Sequence, residues 1–520
     1  MKKAILFVSI FLCCAIGGFA QEVSNTGNAT NSNFGGIANV SIDRSSKYMV
    51  SSFQIGVSHV TNALFPWGGN SVAIDRMFQN MDNANLSFQN VHIMGWGCGN
   101  PWPSKNGPMD FTSLDRMIPQ IQNGMNKEKV ILTLCTAPGW MKVKKQDWDM
   151  NDKVAKEYYT DFAILCQTIA LKYPEVKYFQ VWNELKGWWE KDIKGFTEFY
   201  NVVYDSLKSV RPDALIGGPY MGVGLANGGT FSTNANEAFN YFFKNMHGAD
   251  FVCFDGWLTG WPPETSPLTT EEAMMNNTAC FGKAVAQIKQ KTNLPVWISE
   301  MYCAVPGISS NNMDFIAANH ASVYYHCLIN KTDVALNWDP FGFFALFTSP
   351  KEASGAQPTK HLDIVSIFNK NFAPGEQLYT TTCNFPDKLD VLGSATKTLL
   401  INKTDQVMTV NLCSQALQLE AYEIKLLEDN LSCVSTSASY KDLGVGKPMI
   451  YPNPVKDFLI VNVSQPGIFE AEIVNTSGFT VKRLILNGSE IDVSDLASGM
   501  YLIRIKGNQE VITQKFIKRN

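Results

Sequence analysis

The chain has 520 residues, of which 45% are hydrophobic and 17% charged, and its formal net charge is −4. That length exceeds what one ordinary hydrophobic core accommodates and predicts two to four domains. A small net charge with both signs interspersed excludes the strongly basic surface by which proteins bind nucleic acid or anionic membranes.

The first twenty residues are a predicted signal peptide. A basic start, an apolar run over residues 4–16 and a small-x-small sequence at 18–20 are the three parts of such a segment. The run is too short to span a membrane, and no later stretch is apolar enough to do so. Cys13 and Cys14 raise the alternative of a lipid anchor, but neither follows the small residue that lipoprotein processing prefers. We therefore expect export with cleavage.

Ten of the twelve cysteines lie beyond this segment, and no two of them form a C-x-x-C pair. A zinc or redox site is therefore not expected, and we predict no metal and no cofactor. Disulfides could form in an exported chain, but the sequence leaves their pairing open. Four cysteines lie in apolar runs and are expected to be buried small hydrophobic residues, namely Cys135, Cys166, Cys253 and Cys327.

Between residues 51 and 372, short apolar runs alternate with longer amphipathic stretches. The predicted strands are residues 53–59, 87–94, 129–136, 178–184, 214–218, 251–255, 296–300 and 334–338. The clearest predicted helices are 152–173, which Asn151 and Asp152 would cap, 197–210, 270–290 and 314–329. Eight strands alternating with helices over about 320 residues predict an α/β fold, a (β/α)8 TIM barrel, rather than an open sheet. No glycine-rich nucleotide-binding sequence follows any strand.

The pattern changes after residue 372. Residues 373–432 carry period-two apolar runs and no clear long helix, which predicts a small appended β-sandwich. The N-terminal segment 21–50 is a candidate to complete it. Ser, Thr and Gly are frequent at 433–448, which predicts a linker. Residues 449–520 again contain short strands and predict a separate C-terminal β-sandwich.

Two of the predicted barrel strands end in a glutamate, Glu184 after Trp182-Asn183 and Glu300 after Ser299. Barrel folds place their chemistry at the carboxyl ends of strands, and an idle charge beside a buried strand would be costly. Cleavage of a glycosidic bond needs one carboxylic acid and one carboxylate. The alternative for either glutamate alone is a salt bridge at the barrel mouth.

These motifs resemble the signature of the clan A glycoside hydrolases. The barrel with its small β-domain is similar to family 39 and to its relatives in families 30, 44, 51 and 79. The resemblance covers roughly residues 40–430. It implies that Glu184 is the acid/base, that Glu300 is the nucleophile and that Asn183 hydrogen-bonds the 2-hydroxyl of the sugar.

The resemblance also implies a geometry and a protonation state. The two carboxyls should lie about 5–5.5 Å apart, the retaining arrangement. Because two negative charges at that distance repel, one carboxyl should hold a proton, and we expect it on Glu184. Two positions depart from the family pattern, Leu185 in place of the usual proline and 254–257 in place of a His-x-Tyr-like run. They would touch the reacting sugar, whose identity stays open.

All twelve tryptophans lie between Trp67 and Trp338, within the predicted barrel. Trp338 resembles the aromatic floor on which clan A enzymes seat the reacting sugar, and its alternative is a core tryptophan. Aromatic rings stack on the apolar faces of sugars. The further candidates for substrate binding are Trp257, Trp140, Trp96 and His59. The alternative for His59 is a hydrogen-bonded core histidine.

The end of the chain carries a second resemblance. Residues 451–454 (Tyr-Pro-Asn-Pro), 499–504 and the Lys-rich terminus 515–519 resemble the type IX secretion sorting domain of Bacteroidetes bacteria. This implies passage through the periplasm, the type IX machinery as a partner, and a secreted or cell-surface location. The alternative, a sugar-binding β-module, is disfavoured because the unit has no tryptophan.

We therefore expect a secreted retaining glycoside hydrolase that acts on a polysaccharide or its oligosaccharides. The alternative from another class is a non-catalytic surface glycan-binding protein on the same barrel. An inactive barrel would tolerate loss of either glutamate, and both are present, which favours the enzyme. The sugar, the linkage, and endo or exo action stay open.

Overall fold

The computed structural model describes residues 33–122, 129–258, 268–303, 312–341, 345–413, 415–428, 449–451, 453–462, 469–475, 480–486, 490–506 and 511–519. The predicted signal peptide 1–20 and linker 433–448 lie outside these residues. The chain divides into two units, Met1–Cys433 and Val434–Asn520.

A parallel sheet of nine strands forms the centre of the first unit. One strand precedes it, β1 (Asn33–Val50), and the sheet itself contains β2 (Gln54–Ser58), β3 (Gln89–His92), β4 (Val130–Leu134), β5 (Tyr178–Val181), β6 (Leu215–Gly217), β7 (Met221–Gly224), β8 (Val252–Trp257), β9 (Val296–Tyr302) and β10 (Val334–Trp338). The strand order is β6-β5-β4-β3-β2-β10-β9-β8-β7. β3 and β4 are buried along their whole length, as expected of parallel strands that are covered on both faces.

The two edges of this order, β6 and β7, follow each other directly along the chain. Gly217 in β6 forms a parallel bridge with Phe251, the residue before β8. The sheet is therefore curled, since β6 at one end of the order reaches the strand next to the other end. Each of the eight predicted strands overlaps one of the nine observed strands, and β7 is the strand that the sequence analysis missed.

Helices connect most of the strands: α1 (Ser71–Asn83), α2 (Thr112–Gln122), α3 (Tyr159–Lys172), α4 (Ile193–Val210), α5 (Thr233–Asn245), α6 (Glu271–Asn276), α7 (Cys280–Lys289), α8 (Met313–Ile329) and α9 (Lys360–Asn371). The predicted start of α3 is wrong, because Asp152 accepts a hydrogen bond from the Lys144 amide at 2.7 Å and belongs to the preceding loop. The predicted helix 270–290 is two helices, and the Thr270 side chain caps the first by accepting from the Ala273 amide.

Two further sheets share a second hydrophobic cluster in this unit. Their strands are β11 (Gln377–Cys383), β12 (Leu389–Gly393), β13 (Lys397–Asn402), β14 (Val407–Leu412), β15 (Gln415–Leu419) and β16 (Ile424–Glu428). One sheet has the order β11-β1-β14-β15 and the other β12-β13-β16. Val40 of β1 and Val410 of β14 cluster with Val391 of β12 and Leu400 of β13. The long N-terminal strand β1 is therefore part of the first of these sheets.

The second unit is built from β17 (Met449–Tyr451), β18 (Phe458–Asn462), β19 (Phe469–Asn475), β20 (Thr480–Leu486), β21 (Glu490–Asp492), β22 (Gly499–Lys506) and β23 (Val511–Lys518). They form one sheet of order β17-β18-β21 and one of order β20-β19-β22-β23. Leu459 and Ile491 of the first sheet cluster with Ile473, Ile503 and Phe516 of the second.

The four cysteines predicted to be buried are each 0% exposed: Cys135, Cys166, Cys253 and Cys327. Cys413 is disulfide-bonded. Among the helices of the described ranges, none combines the length and the apolar character that a membrane crossing requires.

Candidate active site

Glu184 lies in the turn that follows β5. Trp182, Glu184 and Leu185 have positive φ angles of 71°, 49° and 53°, a region that is costly for residues with a Cβ. Trp182 anchors the turn, because its ring is fully buried against Phe162 and its Nε1 donates to the Lys186 carbonyl at 2.8 Å. Strained backbone held by packing is found at functional sites, and here it carries Glu184.

Glu300 lies inside β9, next to a β-bulge. In the pairing of β9 with β8, Phe254 faces Ile298 and Asp255 faces Glu300, so Ser299 is an extra residue. A bulge breaks the alternation of side chains along a strand and re-aims them.

Because of the bulge, two consecutive side chains of β9 point to the same side of the curled sheet. The Ser299 hydroxyl hydrogen-bonds Gln180 Oε1 on β5. Glu300 Oε1 lies 3.6 Å from His92 Nε2 on β3. Glu300 is thereby brought inside the sheet, where the next residue of an unbroken strand would face away.

Lys186 is the cation next to Glu184. Its ammonium forms an ion pair with the Glu184 carboxylate and donates to Asn183 Oδ1 at 2.8 Å. The side chains of Lys186 and Glu184 are only 17% and 21% exposed. Asn183 is fully buried, and its Nδ2 has no hydrogen-bond partner in the described part of the chain. That amide is a buried donor available to a ligand.

Glu300 is enclosed by groups from three other segments. It is 6% exposed, and the hydroxyl of Tyr220, between β6 and β7, donates to its Oε1 at 2.9 Å. Asp255, its neighbour on β8, is 1% exposed. Within the described residues neither ring nitrogen of His92 has a hydrogen-bond partner, so the imidazole is unbonded beside Glu300.

The protonation of this cluster differs from the sequence expectation. Burial, and then the charge of Glu184, raise the pKa of Glu300 to about 8, and the Lys186 cation offsets this only in part. Burial followed by the charges of Glu300 and Glu184 raises the pKa of Asp255 well above its usual range. The raised pKa of Glu300 runs against the expectation of an ionised Glu300, while Glu184 is ion-paired with Lys186 in the free chain.

Two tryptophan rings border the carboxyls. The Trp96 ring centroid lies 3.9 Å from that of His92, and the Trp338 centroid lies 6.1 Å from that of Trp96. Lys186 Nζ is 5.8 Å from the centre of the Trp96 ring. Trp96 and Trp338 are both half-buried, so the cluster includes partly accessible aromatic surface.

Trp257, the last residue of β8, approaches Glu184 over a glycine. A Cβ added to Gly222 of β7 would lie 3.1 Å from the Trp257 ring and 3.2 Å from Glu184 Cβ. A larger residue at 222 would therefore crowd both side chains, and glycine allows them to approach each other.

Trp140 and His59 make other contacts. Trp140 packs edge to face on Trp102 at 5.0 Å and donates to the Trp102 carbonyl at 2.8 Å. His59 is 1% exposed, hydrogen-bonds Gln89 through Nε2 and has its ring 5.9 Å from that of Phe78. Burial lowers the pKa of His59 to about 4. His59 thus has the environment of a neutral core histidine.

A set of fully buried polar side chains, here called the polar layer, adjoins the carboxyls on the inner side of the sheet. Gln180 Nε2 donates to Thr133 Oγ1 at 3.1 Å, Thr133 Oγ1 to Asn90 Oδ1 at 2.8 Å, and Asn90 Nδ2 to Ser58 Oγ at 2.8 Å. The layer is closed by the bond between Ser299 and Gln180. Its members come from β2, β3, β4, β5 and β9.

Four residues of the cluster were not predicted as site residues: His92, Tyr220, Lys186 and Asp255. A signal existed for three, since His92 lies in a predicted strand, Lys186 lies close to Glu184 in sequence and Asp255 ends the predicted strand 251–255. Tyr220 carried no such signal, because it precedes β7, which was not predicted.

The C-terminal region matches a known family. Residues 449–519 match the family model described as the secretion system C-terminal sorting domain. These residues are a secretion sorting domain. The protein is accordingly secreted or displayed at the cell surface, and the domain implies contact with the secretion machinery.

Known proteins resemble the chain in part of its sequence and in its fold. Beta-agarase D of Zobellia galactanivorans is 33% identical over 92 residues, which are 17% of this chain and 19% of the agarase. The match therefore spans about a fifth of that relative. SrfJ from Salmonella typhimurium has a TM-score of 0.55 at 14% identity, covering 75% of this chain and 92% of SrfJ. The endo-beta1,6-glucanase BT3312 has a TM-score of 0.51 at 13% identity, covering 74% and 93%. At such identities the shared property is the fold.

Proposed function

We propose that the chain is a secreted retaining glycoside hydrolase in which Glu184 is the acid/base and Glu300 the nucleophile. The observation that carries this proposal is the pair of glutamates, Glu184 in the turn after β5 and Glu300 in β9. They are linked through Lys186 and His92 to the half-buried ring of Trp96. We interpret the curled sheet as a (β/α)8 barrel whose fifth strand is β6 and β7 together, with an appended β-sandwich and a C-terminal β-sandwich.

The surrounding groups suit a sugar. The buried Asn183 Nδ2 has a free donor for a sugar hydroxyl, in keeping with the 2-hydroxyl contact of clan A enzymes. Trp338 and Trp96 offer faces on which a pyranose can stack. Trp257, next to Glu184, would meet the adjoining sugar unit. We leave His59 and Trp140 out of the reacting site because of their separate contacts.

The reaction has two displacements. The Glu300 carboxylate attacks the anomeric carbon while Glu184 gives its proton to the leaving oxygen, and a covalent ester forms on Glu300. Glu184 then removes a proton from water, which attacks the same carbon and releases Glu300. For the first step Glu184 must be protonated, so the Lys186 ammonium has to leave the Glu184 carboxylate as substrate enters.

A substrate panel with product stereochemistry tests the proposal. Because the similar proteins include a beta-agarase and a beta1,6-glucanase, the panel contains agarose, β-1,6-glucan, xylan and aryl β-glycosides. We expect turnover with retention at the anomeric carbon, followed by NMR. Inversion, or no turnover of any member, would contradict the proposal.

A fluorosugar trap tests the two roles separately. We expect the covalent label on Glu300, read by peptide mass spectrometry. A label on Glu184 would mean that the roles are exchanged, which is the outcome that the raised pKa of Glu300 alone would favour.

A second candidate, a non-catalytic glycan-binding protein, is supported by one observation. In the free chain Glu184 is ion-paired with Lys186, and the pKa of Glu300 is raised to about 8, which does not favour an ionised nucleophile at neutral pH. Calorimetric binding of panel oligosaccharides without turnover, even above pH 8, would support this candidate.

For the C-terminal unit we propose the type IX route through the periplasm. Removal of residues 449–520 should leave activity on soluble substrate intact and trap the protein in the periplasm, which cell fractionation measures. Normal appearance of the truncated protein outside the cell would contradict the proposed route.

A further inference from the structure

Asp255 is a third buried carboxyl beside the two glutamates. It lies on β8 directly across from Glu300 on β9 and is 1% exposed. Neither of its oxygens accepts a hydrogen bond from a donor in the described part of the chain. A carboxylate buried in this way would be strongly destabilised, whereas a protonated carboxyl would not.

One donor in the described residues serves Glu300. The Tyr220 hydroxyl donates to Glu300 at 2.9 Å, while the neutral His92 lies 3.6 Å from the same oxygen and makes no hydrogen bond to it. Negative charge is thus better stabilised on Glu300 than on Asp255. A proton on Asp255 would have the Glu300 carboxyl as its neighbour, since the two residues pair directly across β8 and β9.

The other charged or titratable groups around the pair do not change this preference. Lys186, in the turn after β5, is held by Glu184. Burial keeps His92 of β3 neutral by lowering its pKa well below its ordinary value. Burial likewise raises the pKa of the Cys135 thiol, after β4, to about 12, so it is neutral too.

We propose that Asp255 is a positioning residue that keeps its proton and donates a hydrogen bond to Glu300, which holds Glu300 as the ionised nucleophile. This inference rests on the proposed function. When the pair releases its first proton, the proton comes from Glu300. Asp255 keeps its own proton through both displacements, so no proton is transferred through it and the reaction stays balanced as written above.

The first test reads protonation without any substrate. Infrared difference spectra of the full chain report the carbonyl stretch of each protonated carboxyl group. Glu300→Gln isolates the Asp255 band and Asp255→Asn isolates the Glu300 band. We expect the Asp255 band to persist above pH 8 and the Glu300 band to disappear as the pH rises through about 8. The reverse order would overturn the inference.

The second test uses the pH profile of kcat/KM. Its acidic limb reports ionisation of Glu300. Asp255→Ala removes the donor, so we expect the limb to move to higher pH and kcat to fall by about 100-fold, the usual effect of losing one donor to an active-site charge. Asp255→Asn keeps a neutral donor, so its kcat should be roughly tenfold higher than that of Asp255→Ala. Its acidic limb should lie near the wild-type position.

The sign of the shift decides between two roles for Asp255. If Asp255 were ionised and repelled Glu300, both substitutions would move the limb to lower pH, which would overturn the inference. If Asp255→Ala does not fold, as judged by circular dichroism, the limb of Asp255→Asn still decides. A protein with the expected infrared bands but no turnover would contradict the proposed function alone.

Discussion

Two neighbouring sets of buried side chains on the inner side of the parallel sheet differ in whether their polar atoms are hydrogen-bonded. In the polar layer, the side chains from Ser58 to Ser299 hydrogen-bond one another across five strands. Next to them, within the described residues, several buried polar atoms have no partner, namely Asn183 Nδ2, both nitrogens of His92 and both oxygens of Asp255.

β3 and β9 supply side chains to both the polar layer and the cluster around Glu300, so the strand of origin alone does not explain the difference. A buried polar group without a partner costs about 1–3 kcal/mol. Hydrogen bonds between its own members spare the polar layer that cost, whereas the unpartnered atoms of the cluster around Glu184 and Glu300 still carry it. A bound sugar has hydroxyls that could satisfy such groups. We therefore regard the first set as structural and the second as a candidate binding site.

Removal of the proposed nucleophile should have the largest effect on activity. Glu300→Gln should lower kcat by about 10,000-fold or more on every substrate, because no covalent intermediate can form. The measurement is kcat on the best substrate of the panel. Glu352→Gln, at an exposed position, is the matched control and should have wild-type kinetics. Substantial residual activity in Glu300→Gln would contradict the role of Glu300.

Removal of the proposed acid should have a smaller and selective effect. Glu184→Ala should lose about 100- to 10,000-fold on substrates with poor leaving groups, the range for general acid catalysis. A dinitrophenyl glycoside needs no acid, so it should still form the ester and then stall. Added azide should release a glycosyl azide, detected by mass spectrometry. An equal loss on both kinds of substrate, without rescue, would exclude this role.

A smaller loss is expected at the aromatic border. Trp338→Ala should lower kcat/KM even for the smallest aryl glycoside. The loss of transition-state stabilisation should be about 1–3 kcal/mol, by analogy with stacking of bases on aromatic rings. Trp148, which is 61% exposed, provides the control substitution Trp148→Ala. Unchanged kinetics of Trp338→Ala would assign that ring to the core.

A substitution in the polar layer should change the free energy of unfolding rather than the catalytic reaction. Gln180→Leu leaves the Ser299 hydroxyl without the bond that it makes to Gln180, and should lower the free energy of unfolding by about 1–3 kcal/mol. Urea denaturation measures this change, with the exposed Gln290→Ala as control. The double variant with Ser299→Ala should lose less than the sum of the single variants. Additive losses would show that the two side chains do not interact.

The raised pKa of Glu300 also predicts a pH dependence of stability. The pKa of Glu300 is raised from 4.5 to about 8, so between these values the folded chain holds a proton that the unfolded chain has released. The stability from this group is therefore complete below pH 4.5 and lost as pH rises through 8. Relative to Glu300→Gln, the wild type should become less stable over that window, measured by urea denaturation. Parallel curves would contradict the raised pKa.

Much of the fold could be read from local pattern, and the failures have identifiable causes. Fully buried parallel strands are continuous apolar runs, so all eight predicted strands overlap observed ones. β7, Met221–Gly224, contains two glycines and lacks that signal. The start of α3 was misplaced because Asp152, which resembles an N-cap, bonds the Lys144 amide instead. Side chains that form caps also form loops, and only the surrounding chain decides between them.

For the candidate site, the sequence by itself determined which strands carry carboxylates, since an acidic residue next to an apolar run can be recognised from the sequence alone. Tertiary structure decided how those carboxylates are aimed and protonated. The bulge at Ser299 turns Glu300 inward, and the turn after β5 brings Lys186 onto Glu184. Asp255 meets Glu300 only through strand pairing. Orientation, burial and charge at a few ångströms depend on residues distant in sequence, and these quantities set the pKa values on which any chemistry here depends.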